Sequence, residues 1–271
     1  MTQQFTTIII ADSRGRGLDD FVGQHLRPIN HQYVIDIQPG KSPAQLVPIV
    51  TNTIARYDLT KTYCILFAGI CGLTVKIRTE GKQHLRYPLD SRSKRVSTVL
   101  SAFSELKDKF GPHINFCTII PASLADYHQY FNPADPTPDY TKPEQAALEE
   151  DVLLINKRLI DLNQGILTNI NLANRCQVNS KKKRQRSGTK TVYRRVKKFV
   201  YSELFDGVHF TLKLRHTCFR LILDTAIRDI TNLFASLESE SDNVSSSSES
   251  NDDDDRDFKR NKKPSHVSQE A

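Results

Sequence analysis

Short runs of consecutive apolar residues alternate along this chain with longer stretches in which apolar positions return every three or four residues. Phe5 to Ile10 is a β-branched run that predicts a strand, and Leu18, Phe21, Val22 and Leu26 follow at helical spacing. Tyr33 to Ile37 predicts a second strand, ended by Pro39-Gly40; Ser42-Pro43 then supplies a cap and a first-turn proline for a helix through Arg56. The alternation repeats. Tyr63 to Ala68 is almost wholly apolar, Val96, Val99, Leu100, Phe103 and Leu106 mark a helix over Ser93 to Phe110, and His113 to Ile120 predicts a fourth strand. Strands apolar on both faces belong in a parallel sheet that helices cover on both sides.

The remaining segments are less regular. Val75 to Tyr87 is either a small hairpin around Glu80-Gly81 or a loop, and Ala122 to Lys142, rich in proline and aromatic residues, reads as a second loop. Thr141-Lys142-Pro143-Glu144 predicts a capping box that opens a helix to about Leu162. Ile166 to Val178 is the expected fifth strand. Leu212 to Leu237 is the expected closing helix, with Phe219, Leu223, Ile227, Ile230 and Phe234 on its buried side. This order predicts the α/β class, as a three-layer α/β/α sandwich around a five-stranded parallel sheet.

A chain of 271 residues with 38% hydrophobic content suffices for one core. Its composition shifts to serine and acid after Leu237, so a single domain is expected over residues 1–237 and a disordered tail over residues 238–271. No run of eighteen apolar residues occurs and the start lacks a secretory pattern, which predicts a soluble, intracellular protein. Five cysteines without a C-x-x-C pair read as reduced thiols, with no metal site expected. No cofactor is expected either.

Charge changes this picture. The total is +7, but the tail holds ten acidic and five basic residues, a local charge of −5 that leaves +12 on the rest. Lys181, Lys182, Lys183, Arg184, Arg186, Lys190, Arg194, Arg195, Lys197 and Lys198 fall in one acid-free segment, an inserted basic loop or hairpin. Such a segment is a phosphate-contacting surface for nucleic acid, a nuclear-import signal, or a solvated excursion. The tail's Lys259-Arg260-Asn261-Lys262-Lys263 is a further import candidate.

Three separated words carry candidate chemistry: Ala11-Asp12-Ser13 after the first strand, Ala68-Gly69-Ile70-Cys71 after the third, and Asp206-Gly207-Val208-His209 before the last helix. Each alone fits a tight turn or a helix cap. Together, however, Ser13, Gly40 and Gly69 fall at the carboxyl ends of three strands, on the rim where open α/β sheets bind ligands. A serine hydroxyl becomes nucleophilic when a base takes its proton during attack, which His209 can do while Asp206 orients the imidazole. Arg14, Arg16, Lys41, Lys76 and Arg78 are expected near the same rim, either as contacts for an anionic ester or as solvated loop charges.

From Thr6 to Ser236 the chain resembles the SGNH, or GDSL-type, hydrolase superfamily. Ala11-Asp12-Ser13 resembles its first block, Gly40 its second, Gly69-Ile70-Cys71-Gly72 its third, and Asp206-Gly207-Val208-His209 its final D-x-x-H block. The resemblance implies a flavodoxin-like sandwich, Ser13 as nucleophile, His209 as base, Asp206 as its partner, and an oxyanion hole from the Ser13 and Gly40 N–H groups and the third block. It departs at Cys71, which stands where the family has asparagine; a thiol donates weakly, and Asn115 and Asn132 are the candidate substitutes. The wording of Asp12-Ser13-Arg14-Gly15-Arg16-Gly17 and Ala68-Gly69-Ile70-Cys71 is also similar to SGNH-like domains of invertebrate mobile elements and their viral relatives. Two functions follow: a serine esterase acting on a small, anionic or neutral ester, or a catalytically weak or inactive module that binds nucleic acid.

Overall fold

The structure is a computed structural model that describes residues 5–25, 31–164, 168–179, 183–187, 190–194 and 197–245. In chain order, β1 (Phe5–Ala11), α1 (Leu18–His25), β2 (His31–Ile37), α2 (Pro43–Ile54), β3 (Thr62–Phe67) and the single turn α3 (Ile70–Leu73) come first. A hairpin of β4 (Val75–Thr79) and β5 (Lys82–Arg86) follows, then α4 (Arg92–Phe110), β6 (Ile114–Phe116), α5 (Leu124–Phe131) and α6 (Thr141–Leu162). The last elements are β7 (Gln177–Asn179), β8 (Lys183–Ser187), β9 (Lys190–Arg194), β10 (Lys197–Phe199) and α7 (Leu212–Ser245).

The main sheet has four parallel strands in the order β2-β1-β3-β6. Because side chains alternate along a strand, each strand feeds two cores. Ile8, Ile10, Cys64 and Leu66 join buried residues of α2, α4 and α6 on one face. Ile9, Ala11, Ile65 and Phe67 join Leu18 and Phe21 of α1 and Cys218, Phe219 and Ile222 of α7 on the other. The result is the α/β/α sandwich with flavodoxin-like strand order. That order reverses between β1 and β3, which opens a crevice at their carboxyl ends.

The fifth strand expected over Ile166 to Val178 is not part of this sheet, whose edge is closed differently. Residues 165–167 lie outside the described residues; Thr118 N–H reaches the Ile170 carbonyl at 3.0 Å, and Gln177–Asn179 forms β7, which pairs antiparallel with β10. The outer edge of β6 and its continuation is capped by two carboxamides from α6 and its end. Asn163 accepts the Phe116 N–H at 3.1 Å and donates to the Phe116 carbonyl at 2.8 Å; Asn156 does the same for Ile119 at 2.6 and 2.8 Å. Each amide stands in for the peptide group of a missing strand, satisfying buried backbone atoms that need partners.

Other differences have local causes. Val75 to Tyr87 forms the hairpin, whereas the segment read as a loop after Ala122 contains α5, capped by Ser123 accepting the Asp126 N–H. The expected capping box at Thr141 does not form, because the cap residue is Tyr140 and Glu144 is drawn away to accept the Tyr87 N–H and the Arg86 guanidinium. The closing helix runs to Ser245, past Leu237, and its buried stripe uses Cys218, Ile222 and Ala226 while Ile227 is 37% exposed. The side chain of Phe234 lies outside the described ones. All five cysteines are free, four of them buried and Cys71 half-buried.

By its contacts the chain divides into two units, Met1–Phe234 and Ala235–Ala271. Among the described residues no helix is long and apolar enough to cross a membrane.

Asn163→Ala removes both partners of a buried peptide unit on β6. Urea unfolding is expected to show a loss of about 2–4 kcal/mol, roughly double the loss for deleting one buried hydrogen bond.

Candidate active site

Ser13 owes its place to the way β1 ends. The Gln38 N–H bonds to the Ala11 carbonyl at 2.7 Å and the Asp12 N–H to the Phe67 carbonyl at 3.1 Å, so both neighbouring strands hold the last residues of β1. A single 3-10 turn, Ser13–Gly15, follows at once, and Asp12 caps it by accepting the Arg14 N–H at 2.9 Å. The turn can be this tight because residue 15 is glycine: a Cβ there would stand 2.4 Å from the Ala11 Cβ. As the first residue of the turn, Ser13 keeps its own N–H outside the turn's hydrogen bonds.

The second half of the site is a compact loop before α7. It is clamped by a bridge between Leu204 and Phe210 and by the Phe205 N–H bonding to the His209 carbonyl at 3.0 Å. Gly207 adopts φ +75°, and a Cβ at that position would meet the Ser123 carbonyl at 2.4 Å and the Tyr127 nitrogen at 2.5 Å. The glycine therefore lets the loop lie directly on α5, where the Ser123 N–H bonds to the Gly207 carbonyl at 2.7 Å.

These two segments meet. His209 Nε2 stands 3.1 Å from Ser13 Oγ, and His209 Nδ1 stands 2.6 Å from Asp206 Oδ2. Asp206 Oδ1 accepts the backbone N–H groups of Val208 at 3.0 Å and His209 at 2.6 Å. Burial pushes the Asp206 carboxyl up, but bonds from the His209 ring and from these two N–H groups outweigh it and hold it at about 2. An ionised carboxylate at Nδ1 selects the tautomer in which Nε2 carries the lone pair that faces Ser13.

Gly40 and Cys71 also come together, with Asp12 nearby. Burial pushes the Cys71 thiol up to about 11, reinforced by the charge of Asp12, so the sulfur stays protonated at neutral pH. Gly69 differs from its expected place on the rim. It is buried at φ +148°, and a Cβ there would lie 2.2 Å from Ile119 Cδ1, so it serves the packing of β3 rather than the open rim. Neither candidate amide replaces the missing asparagine. Asn115 is held by the Tyr63 hydroxyl and the Thr168 carbonyl, and Asn132 by the Gln83 carbonyl and His128.

Arg14 is the largest correction to the sequence reading. Only 3% exposed, it is not a rim residue; its Nε donates to the Val208 carbonyl at 3.0 Å and its Nη1 to the Ile120 carbonyl, while the guanidinium lies 5.3 Å above the Phe210 ring. It fastens the turn of Ser13 to the loop of His209. Burial lowers the pKa of Arg14, opposed mainly by Asp12, and raises that of Asp12, opposed mainly by Arg14. Arg16, Lys41, Lys76 and Arg78 are exposed, and Lys76 Nζ sits 5.8 Å from the Tyr127 ring.

An aromatic flank was missed. Phe205, 51% exposed, stacks on His209 with ring centroids 5.8 Å apart, and Tyr130, 54% exposed, meets Phe205 edge-on at 6.1 Å. Lone aromatics in segments read as loops carry no periodicity by which to find them. On the basic insertion, β8 and β9 form an antiparallel hairpin with Lys183 opposite Arg194, and Arg184 and Arg186 opposite Tyr193 and Thr191. Lys197 and Lys198 begin β10, opposite Asn179 and Val178 of β7. Lys181, Lys182 and Arg195 lie outside the described residues.

No protein-family model matches the chain, and no curated protein matches it. Among solved structures the chain is similar to a lipase/acylhydrolase from Enterococcus faecalis, with 12% identity, 82% of this chain and 94% of that chain covered, and a TM-score of 0.48. It is similar to an acetyl xylan esterase from Geobacillus stearothermophilus, with 10% identity, coverage of 86% and 97%, and a TM-score of 0.46. It is also similar to AlinE4, an SGNH-hydrolase family esterase, with 12% identity, coverage of 57% and 74%, and a TM-score of 0.31. Likenesses this remote carry no argument about the chemistry of this chain.

Asp206 generates a test of the geometry. A carboxyl held at about 2 in the fold, against an ordinary 3.8, stabilises the fold fully above the ordinary value and loses that contribution as pH falls through about 2. Urea unfolding followed from about pH 5 to about pH 2 is expected to show a steeper loss of stability for the native protein than for Asp206→Asn, with the divergence confined to the range below about pH 4.

Proposed function

We propose that the protein is a serine ester hydrolase of the SGNH type, with Ser13 as nucleophile, His209 as general base and acid, and Asp206 as the group that orients the imidazole. The observation that carries this reading is the continuous line from Asp206 through His209 to Ser13, at 2.6 and 3.1 Å, on the carboxyl-end crevice of a parallel sheet.

In the first step Ser13 Oγ attacks the ester carbonyl carbon while His209 Nε2 takes the hydroxyl proton. The carbonyl oxygen becomes an oxyanion that the N–H groups of Ser13 and Gly40 receive, with the Cys71 thiol as a third, weaker donor. Collapse expels the alcohol, which leaves with the proton from His209. Water then attacks the acyl-serine, again giving its proton to His209, and the carboxylic acid departs as Ser13 regains its hydrogen. Asp206 stays ionised throughout, so the imidazolium formed in each half-reaction keeps a counter-charge.

The basic segment supports a second reading, in which a weak or inactive SGNH-like module binds nucleic acid in a mobile-element or viral setting. Its support is the acid-free run of ten cations spread over β8, β9 and their flanks.

Incubation with a fluorophosphonate is expected to label Ser13 covalently, and Ser13→Ala to abolish labelling and lower ester turnover by about 10⁶-fold. Absence of labelling, together with nucleic-acid affinity that falls steeply with added salt, would replace the esterase with the binding module.

Cys71→Asn restores an amide donor where the thiol now stands. Turnover of a small ester is expected to rise by about 10–10²-fold with little change in KM, because the added bond strengthens only as the oxyanion forms.

A further inference from the structure

A cavity of about 380 Å³ lies beside Cys71, among α2, α3 and α4. Those elements belong to the core on one face of the sheet; the loop carrying His209 closes onto the other through Leu204 and Phe210 and reaches the first only through Val208. The floor exists because residue 72 is glycine: a Cβ there would stand 2.6 Å from Val99 and 2.9 Å from Pro43, so α3 can approach α2 and α4 closely. Around that floor stand Ser42, Ser91, Thr98, Lys94 and Arg95, and no carboxylate lines the cavity.

The two cations are placed against local preference. The first turn of α4 holds Arg92, Lys94 and Arg95 and no acid, although a helix amino terminus already carries partial positive charge. Arg92 is offset by Glu150 and Asp151, each at 2.6 Å. Among the described residues Lys94 and Arg95 meet no carboxylate; Arg95 Nε donates to Ser91 Oγ at 3.0 Å, which orients its guanidinium. Asp90, before the cap residue, accepts the Ser91 N–H at 2.8 Å but pairs with neither cation; a local rule offset only in part is commonly a feature kept for a ligand.

We propose that this cavity is the acyl subsite of the reaction centre and accepts an acyl chain ending in a second carboxylate, so that the substrates are half-esters of short dicarboxylic acids. The proposal rests on the esterase reading above. The leaving alcohol must take its proton from His209 Nε2 and therefore departs on the His209 side. The acyl chain points the opposite way from the same carbonyl carbon, past Cys71 and into the cavity. There its carboxylate meets the Lys94 ammonium and the Arg95 guanidinium, whose paired donors match a carboxylate.

The test compares para-nitrophenyl valerate with mono-para-nitrophenyl glutarate, which has the same number of acyl carbons, and methyl para-acetoxybenzoate with para-acetoxybenzoate, after subtraction of uncatalysed hydrolysis. The first pair adds a negative charge to the acyl group, the second to the leaving group. The glutarate is expected to exceed the valerate about tenfold in kcat/KM, an advantage that shrinks with added salt, while charge on the leaving group gives no gain. The double variant Lys94→Gln with Arg95→Gln is expected to bring the glutarate-to-valerate ratio to about one, and Lys109→Gln, which removes a charge from α4 outside the cavity, to keep it. Equal rates within the first pair, a gain confined to the second, or a ratio unaffected by the double variant would overturn the acyl subsite and leave the esterase standing. No turnover of any ester and no fluorophosphonate labelling of Ser13 would overturn both.

Discussion

The buried guanidinium of Arg14 joins three parts of the chain that lie far apart in sequence. It leaves the turn of Ser13 and reaches the carbonyls of Val208 and Ile120, so one side chain spans the end of β1, the continuation of β6 and the loop of His209. A buried cation needs partners for its donors and a counter-charge close by: Nε and Nη1 of Arg14 have carbonyl partners, Nη2 has none, and Asp12 supplies the charge two residues away. The 3.1 Å meeting of Ser13 and His209, across 196 positions of sequence, depends on this anchor. Asp12 in turn accepts the Arg14 N–H with its side chain and donates its own N–H to the Phe67 carbonyl, which links the ends of β1 and β3 to the same small polar core.

Around that core the crevice is chemically uneven. Beyond His209 lie Phe205, Tyr130 and Phe131, an exposed aromatic flank in which each ring touches the next. Beyond Cys71 lies the cavity with Lys94 and Arg95. A reacting ester placed between them would have its apolar and its charged ends sorted by the protein, independently of the atoms that carry out the reaction. Cys71 sits at the division between the two sides, protonated and half-buried.

Much of the frame was legible in the residues. The apolar runs at Phe5 to Ile10 and Tyr63 to Ala68 specify two central strands because a strand buried on both faces admits almost no polar side chain, and β1 and β3 occupy those positions. Helical periodicity located α4 and α7, and the Ser42-Pro43 cap located α2. The periodicity is silent where polar residues do structural work: Asn156 and Asn163 carry no apolar period, yet they close the sheet edge where a fifth strand was expected. It failed at Ile227, since a helix in which several adjacent positions are apolar does not reveal which of them faces the sheet.

The sequence by itself determined the alternation of strands and helices from β1 to β3, the helices α4 and α7, and the residue types from which a hydrolytic site can be built. Only the tertiary structure decided which charges are internal. Arg14 and Arg16 are two residues apart in one loop, and pattern alone treats them alike, but one is the buried brace of the site and the other is exposed to water. The reason is physical: burial is a property of what the rest of the chain brings alongside, and for Arg14 the decisive partners are carbonyls 106 and 194 residues away.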